Sequence, residues 1–350
     1  MTVVVRVRAR GRRSAARVAQ WVTTTTYLQR WLVLGGAIGL IAGCGAIVFY
    51  SLLIAFTHLL LTDLVGYQVP TAAGEGGLLG SATMARPWAL PLVVGAGGLA
   101  SGLLVFRLAP EAEGHGTDAA IKAVHENPRG IRARATLVKI VASALTIGSG
   151  GSGGREGPTA QISAGFASLV ARLLNLSPSD SRVAVATGIG SGIGAIFRAP
   201  LGGAVLATEI LYRDDMEPEA LVPALIASVV SYAVFGAVEG FTPMFGNGVG
   251  YRFSDPLQLV WFALIGAVAG LIGLLYAKGF YGLAGLWERL PVSRVIKPAI
   301  GGVLVGLVGV GLPEVLGTGY GWVQQSFLRH ELLHLPLIVV LALPFARIVA

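Results

Sequence analysis

The sequence predicts an all-α membrane protein: an inverted-repeat bundle with broken half-helices, its second repeat incomplete. Three observations predict it. The chain is 54% hydrophobic and only 13% charged, with a mean hydropathy of +0.72, which suits the bilayer as solvent rather than water. Charge-free runs of membrane-crossing length recur along it, and similar segments appear in the same order in its two parts.

Four runs contain no Asp, Glu, Lys or Arg: Trp31 to Thr62, Pro87 to Phe106, Ala220 to Val238 and Pro256 to Ala277. Each reaches or nearly reaches the ~20 apolar residues that a helical crossing requires. Trp31, Trp88, Trp261 and Trp322 sit near span ends and read as interface anchors. The net charge of +8 does not point to nucleic acid, because the basic residues flank apolar runs and read as topology signals. Residues 1–30 hold Arg6, Arg8, Arg10, Arg12, Arg13 and Arg17 with no acidic residue and no signal-peptide pattern, so this basic segment is expected to stay on the protein, in the cytoplasm, below a multi-pass domain in the cell membrane. The one cysteine, Cys44, lies in the first apolar run and offers neither a disulfide framework nor a thiolate metal site.

The repeat is faint but ordered. Trp31-Leu-Val-Leu-Gly-Gly-Ala-Ile-Gly resembles Trp261-Phe-Ala-Leu-Ile-Gly-Ala-Val-Ala-Gly; Pro110-Glu111 followed by Gly114-His115-Gly116 parallels Pro313-Glu314 followed by Gly317-Thr318-Gly319; Lys139-Ile-Val-Ala142 parallels Arg347-Ile-Val-Ala350. The first long span follows the arginine cluster and precedes Asp63 and Glu75, so it runs outward; its counterpart follows Glu239, Arg252 and Asp255, precedes Arg289, Arg294 and Lys297, and runs inward. An inverted repeat of this kind is typical of transporters with a midplane site. The first repeat covers about 31–213, a linker helix about 217–238, and a partial second repeat about 256–350. Between the long spans, Ile140 to Gly154, Gly157 to Ala171 and Val183 to Phe197 are charge-free but short of ~20 residues, and read as half-helices meeting inside the membrane.

The segment Gly148-Ser-Gly-Gly-Ser-Gly-Gly-Arg155-Glu156-Gly157-Pro158 is too glycine-rich for a lipid-facing helix, since each interior glycine costs roughly 1 kcal/mol relative to alanine. It predicts a tight turn into a helix with Pro158 at the first position, where a missing N–H is tolerated. The N–H groups and positive dipole of that helix start would face a small anion. A carboxylate at membrane depth is costly, by roughly 2.5 to 3.5 kcal/mol for Asp on insertion scales, and is usually retained for function. Glu156 therefore reads as a gate that occupies the anion site itself and leaves it on protonation; the alternative is a Glu156–Arg155 ion pair facing interfacial water.

These residues carry a resemblance to the CLC family of chloride channels and chloride/proton exchangers. Gly154-Arg155-Glu156-Gly157-Pro158 is similar to its G-[KR]-E-G-P motif, and Ala199-Pro200-Leu201-Gly202-Gly203 with Glu209 resembles the close of its first half, the resemblance running from about Trp31 to Ala350. It implies a CLC-type transmembrane domain over 31–350, a homodimer with one anion path per subunit, Glu156 as external gate, and chloride or a similar anion as cargo, with protons as a second cargo if the chain is an exchanger. Gly114, His115, Gly116, Arg155, Glu156 and Gly157 form the expected anion-binding set; no cofactor, metal or nucleic acid is called for.

Three departures from the family pattern matter. Where the family's first motif reads G-S-G-I-P, this chain has Gly114-His115-Gly116-Thr117-Asp118, so His115 either donates an N–H to the anion or turns away while backbone N–H groups bind it. Proton-coupled members often carry a Glu-Glu pair where this chain has Glu209-Ile210, which leaves Glu209 either as an internal relay or as a solvated helix end near Arg213, Asp214 and Asp215. Finally, the second copy stops before its own glycine-rich turn, and the expectation is a truncated chain lacking part of the pore wall. A rival reading of another class is an intramembrane hydrolase using Ser149 or Ser152, or a metal held by His330 and His334 in the letters H-E-x-x-H; neither serine has a histidine base nearby in sequence, and that metal site lacks a third ligand.

Overall fold

The computed structural model describes residues 26–81, 83–246, 253–326 and 346–347, and among these no strand occurs. The arginine cluster of the N-terminal segment and the pair His330 and His334 lie outside the described residues. The described chain runs through α1 (Tyr27–Thr57), α2 (Ala89–Leu108), α3 (Thr117–Glu126), α4 (Ala133–Gly148), α5 (Glu156–Leu173), α6 (Pro178–Ile196), α7 (Pro200–Glu209), α8 (Leu221–Glu239), α9 (Gln258–Arg289), α10 (Lys297–Gly311) and α11 (Tyr320–Ser326). Among the described residues four segments are long and apolar enough to cross a bilayer: Tyr27–Val65, in which α1 continues through a π-helical turn, then Ala89–Leu108, Pro218–Glu239 and Gln258–Arg289. These coincide with the four charge-free runs.

The shorter runs become helices longer than their charge-free lengths. α5 and α6 have 18 and 19 residues because each helix takes in its polar flank. Asp180 opens α6, where Ser177 caps the first turn, and pairs with Arg30 at 2.8 Å, so its charge is placed where a helix start favours it. The short members of the set are α3 and α7, with 10 residues each, and α11, with 7.

The chain forms two compact units that interleave in sequence. One takes the residues up to Leu52, Leu104–Ala144 and Arg155–Phe241; the other takes Leu53–Leu103, Leu145–Gly154 and the residues from Thr242 on. In the first unit α6 packs against α5, α7 and α8, and Trp31, Leu34 and Ile38 of α1 join Val183, Val185 and Ile189 in one buried cluster. The packing is set by small residues, which let backbones approach where burial of apolar area gives no advantage over lipid. Gly35, Gly39 and Gly43 line one stripe of α1: a Cβ at Gly35 would stand 3.1 Å from the Pro223 carbonyl oxygen, one at Gly39 would collide with that of Ala227, and one at Gly43 would stand 3.0 Å from that of Ser231. Gly190 on α6 and Gly203 on α7 likewise touch backbone to backbone. The second unit repeats the device, with Gly98 of α2 against the Pro298 carbonyl and Gly302 of α10 against that of Val94.

One sequence reading changes here. Trp31 is fully buried in the cluster rather than an interface anchor, because α1 turns that face toward α6; Trp88 and Trp261 are exposed, as anchors are. Cys44 is exposed on α1. α9 carries no buried residue, and Leu259, Phe262, Ile265, Leu271 and Leu275 all lie exposed along it, a surface whose compatible solvent is lipid.

Replacing Gly190 with leucine is expected to lower the melting temperature of the purified protein, by a loss of about 1–3 kcal/mol from overpacking. Gly36→Ala, at a position with nothing within 4 Å of the added Cβ, is expected to melt at or above the wild-type temperature. Circular dichroism or fluorescence melting in detergent checks both.

Candidate functional site

Within the first unit the two glycine turns singled out in the sequence, some forty positions apart in the chain, come together. α3 starts at Thr117 with Gly116 as its cap, and α5 starts at Glu156 with Arg155 as its cap. Gly114 and Gly116 take φ of +80° and +108°, which side-chain-bearing residues rarely adopt, so only glycine gives this turn without strain. A Cβ at Gly157 would collide with the His115 carbonyl oxygen, and one at Gly116 would stand 2.5 Å from the Gly157 carbonyl oxygen and 3.0 Å from Gln161 Oε1. The starts of α3 and α5 therefore meet main chain to main chain, Gly116 against Gly157 and Gly157 against His115.

The helix register corrects one expectation. Pro158 sits at the third helical position, not the first, because the Arg155 carbonyl already accepts from the Thr159 N–H at 3.1 Å. The missing proline N–H still falls among the first four donors, which lack acceptors inside any helix. The change places Glu156 itself in the first turn, where a carboxylate is favoured by the helix dipole. Glu156 is exposed and Arg155 is 2% exposed, so the two neighbours face different surroundings.

Arg155 is held by aromatic faces. Its guanidinium carbon lies 5.3 Å from the Tyr50 ring centroid and 5.6 Å from that of Phe197, at the end of α6. Tyr50 in turn meets Phe235 of α8 edge-on, with centroids 5.6 Å apart. A planar, weakly hydrated guanidinium stacks between two rings better than a lysine ammonium does. His115 is about half exposed, and its Nδ1 faces the Asp118 carboxylate at 3.7 Å. Its imidazole thus leans along α3, while its carbonyl backs onto Gly157.

Two supports of the turn were missed in the sequence. Lys139 on α4 is 3% exposed, and its Nζ donates to the carbonyl oxygens of Gly114 at 2.6 Å and Ala112 at 3.1 Å. Gln161 on α5 donates from Nε2 to the Glu111 carbonyl oxygen at 3.0 Å. The signal for Lys139 in the sequence is its place as the single cation inside Leu137-Val-Lys-Ile-Val-Ala142. At the edge of the turn Arg132 hydrogen-bonds Glu111 at 2.5 Å and holds its carboxyl below the usual carboxylate range. The stabilisation from that pair is complete above the ordinary carboxylate pKa and is lost as pH falls through the lowered one.

Glu209 ends α7, exposed, and Ile210 packs against the buried cluster. α7 begins three residues beyond Phe197, and its 10 residues span about 15 Å along the axis. Beyond it, His125 shares its Nε2 with the Leu211 carbonyl oxygen at 2.8 Å, and the Tyr212 hydroxyl donates to Glu217 at 2.7 Å. In the second unit Ser149 is fully buried, with its hydroxyl donating to the Thr146 carbonyl oxygen at 3.0 Å, and Ser152 is partly exposed. The Gly150 and Gly153 main chain pairs with Gly317 on both sides, each bond 3.3 Å.

Two helix starts in contact bring together two positive partial charges of roughly half an elementary charge each. That arrangement is relieved by negative charge between them, whether a side-chain carboxylate or a small anion, and it gives a cation nothing.

A family profile described as voltage gated chloride channel matches residues 97–350. The voltage-gated ClC-type chloride channel ClcB of Shigella boydii is 32% identical over 278 residues, covering 77% of this chain and 63% of that one. An uncharacterized protein of Methanocaldococcus jannaschii is 34% identical over 218 residues, covering 62% of this chain and 54% of that one. The chain thus spans 54 to 63% of the length of these relatives. Among solved structures, a slow cyanobacterial Cl−/H+ antiporter superposes with a TM-score of 0.74 at 20% identity, over 91% of this chain and 73% of that one. A CLC-type fluoride/proton antiporter does so with a TM-score of 0.71 at 21% identity, over 93% of this chain and 77% of that one. At these identities the likeness is one of fold.

Arg155→Lys is expected to destabilise the protein by about 1–2 kcal/mol, since the ammonium loses the stacking on Tyr50 and Phe197. Gly157→Ala is expected to destabilise it by about 1–3 kcal/mol through the clash with the His115 carbonyl. Denaturation monitored by Trp fluorescence checks both.

Proposed function

The chain belongs to the voltage gated chloride channel (CLC) family, and from that premise we propose that it takes part in moving chloride or a similar small anion across the cell membrane, with Glu156 as the gate. The observation that carries this reading is the meeting of two helix starts at Gly116 and Gly157 with a carboxylate, Glu156, in the first turn of one of them. Donors from the Gly114–Gly116 turn and from Arg155 to Gly157 face the anion path, and the Glu156 carboxylate competes with the anion for them. Protonation removes the charge and with it the reason for the side chain to stay. The protein acts as a homodimer in lipid, its N-terminus in the cytoplasm, each subunit contributing its own path.

Two modes follow from one gate. If a proton bound at Glu156 reaches the other side, the protein is an anion/proton exchanger; if it returns to the side it came from, the protein is a channel. Glu209 stands as the internal relay in the first mode, and the apolar Ile210 beside it favours the second. The hydrolase reading has less support, because the Ser149 hydroxyl is buried against the Thr146 carbonyl oxygen.

In liposomes reconstituted with the protein, Glu156→Gln is expected to keep anion flux and to abolish any coupled proton flux, with chloride and proton movement recorded together. Wild-type protein that is folded and moves no anion would sink the reading, and a folded Glu156→Gln variant that still couples protons would remove Glu156 from the gate.

A further inference from the structure

In each compact unit one cationic side chain, buried in the first and half-buried in the second, donates to the carbonyl oxygens of a similar backbone turn. In the first, Lys139 donates to the carbonyl oxygens of Ala112 and Gly114. In the second, Arg347 donates to those of Glu314 at 2.9 Å and Thr318 at 3.5 Å. The two turns are built alike from their first residue. Ala109 (φ −155°, ψ 80°) and Leu312 (φ −140°, ψ 75°) lead into the 3-10 turns Pro110–Ala112 and Pro313–Val315, and Glu113 (φ −62°, ψ 154°) and Leu316 (φ −74°, ψ 142°) leave them extended. Two glycines at positive φ follow in each, Gly114 and Gly116 at +80° and +108°, Gly317 and Gly319 at +59° and +77°. The cation thus recurs with the turn, although one is a lysine and the other an arginine.

A buried ammonium with no compensating bonds is strongly unfavourable. Among the described residues, both hydrogen bonds of Lys139 go to main chain, which indicates what it holds. In a planar trans peptide the carbonyl and the following N–H point in opposite directions. With the Gly114 oxygen fixed 2.6 Å from Nζ, the His115 N–H is turned away from Lys139. The neighbouring His115 oxygen lies against Gly157, at the start of α5.

We propose that Lys139 is the positioning residue of the anion path: it fixes the Gly114–His115 peptide plane from behind so that the N–H groups of this turn are presented to the anion, without touching the anion itself. The inference rests on the reading of that turn as part of the path. Lys139 acts through two carbonyl oxygens, so its donors matter as well as its charge, and an arginine keeps both; Arg347 likewise donates to two carbonyls of the second turn, those of Glu314 and Thr318, which align with Glu111 and His115 rather than with Ala112 and Gly114.

The test measures chloride binding to the purified protein by isothermal titration calorimetry, with amide hydrogen exchange over residues 112–117. Lys139→Met is expected to weaken chloride binding about tenfold, the loss appropriate to hydrogen bonds from a charged donor, and to speed exchange of the turn amides. Lys139→Gln, which keeps donors and loses the charge, is expected to fall between Met and wild type, and Lys139→Arg to restore both readouts to near wild type. Met binding chloride as wild type does, or Gln binding as weakly as Met, overturns the inference while leaving the anion path in place. Should Lys139→Met not fold, Gln decides against wild type: weaker binding with faster exchange upholds the inference, and unchanged binding overturns it. Wild-type protein that binds no chloride overturns the path itself, and the inference with it.

Discussion

The close approach of Gly157 to the His115 carbonyl is the constraint on which the rest of the site depends. It brings the starts of α3 and α5 into contact, which a Cβ at position 157 or 116 would block. Like partial charges meet there, so the contact is unfavourable unless it is braced and neutralised. The bracing is visible in the residues around it. Lys139 and Gln161 hold the main chain of residues 111–114 from one side, and the Tyr50–Arg155–Phe197 stack fixes the cap of α5 from the other. Neutralisation falls to the carboxylate in the first turn of α5 or to an anion.

Buried polar groups cost several kcal/mol when left without partners in a medium that offers no water. That explains the division of labour around the turn. Carbonyl oxygens that could repel an anion are bonded by buried donors: those of Ala112 and Gly114 by Lys139, that of Glu111 by Gln161, that of Arg155 by the Thr159 hydroxyl at 2.7 Å. Helix starts supply the opposite polarity. The same economy of small residues that joins α1 to α8 and α6 to α7 makes the approach possible, so the packing and the site share one physical basis.

Much of this was legible in the sequence. Charge-free runs locate the four long apolar helices found among the described residues, since charge in a lipid-facing helix is strongly disfavoured. The glycines at 114, 116 and 157 marked the turns, and Glu156 stood out as a carboxylate in apolar surroundings. Other features were not legible. Trp31 reads alike as an anchor or as core, because a tryptophan near a helix end satisfies both; only the neighbour packed on it decides. Pro158 fits the first or the third helical position equally well, since both lack an intrahelical acceptor. Lys139 shows in the sequence only as an interruption of an apolar run, and its bonds to Gly114 and Ala112 depend on a fold that closes 25 residues of chain. Such long-range contacts leave no local pattern.

The central claim is that an anion sits where α3 and α5 begin, and anomalous diffraction from crystals of the protein grown in bromide tests it most directly. The account expects an anomalous peak within hydrogen-bond reach of N–H groups at the Gly114–Gly116 turn or at the start of α5, strengthened in Glu156→Gln, where the competing carboxylate is gone. A folded protein that moves bromide in liposomes yet shows no peak there, in wild type or in Glu156→Gln, would contradict it.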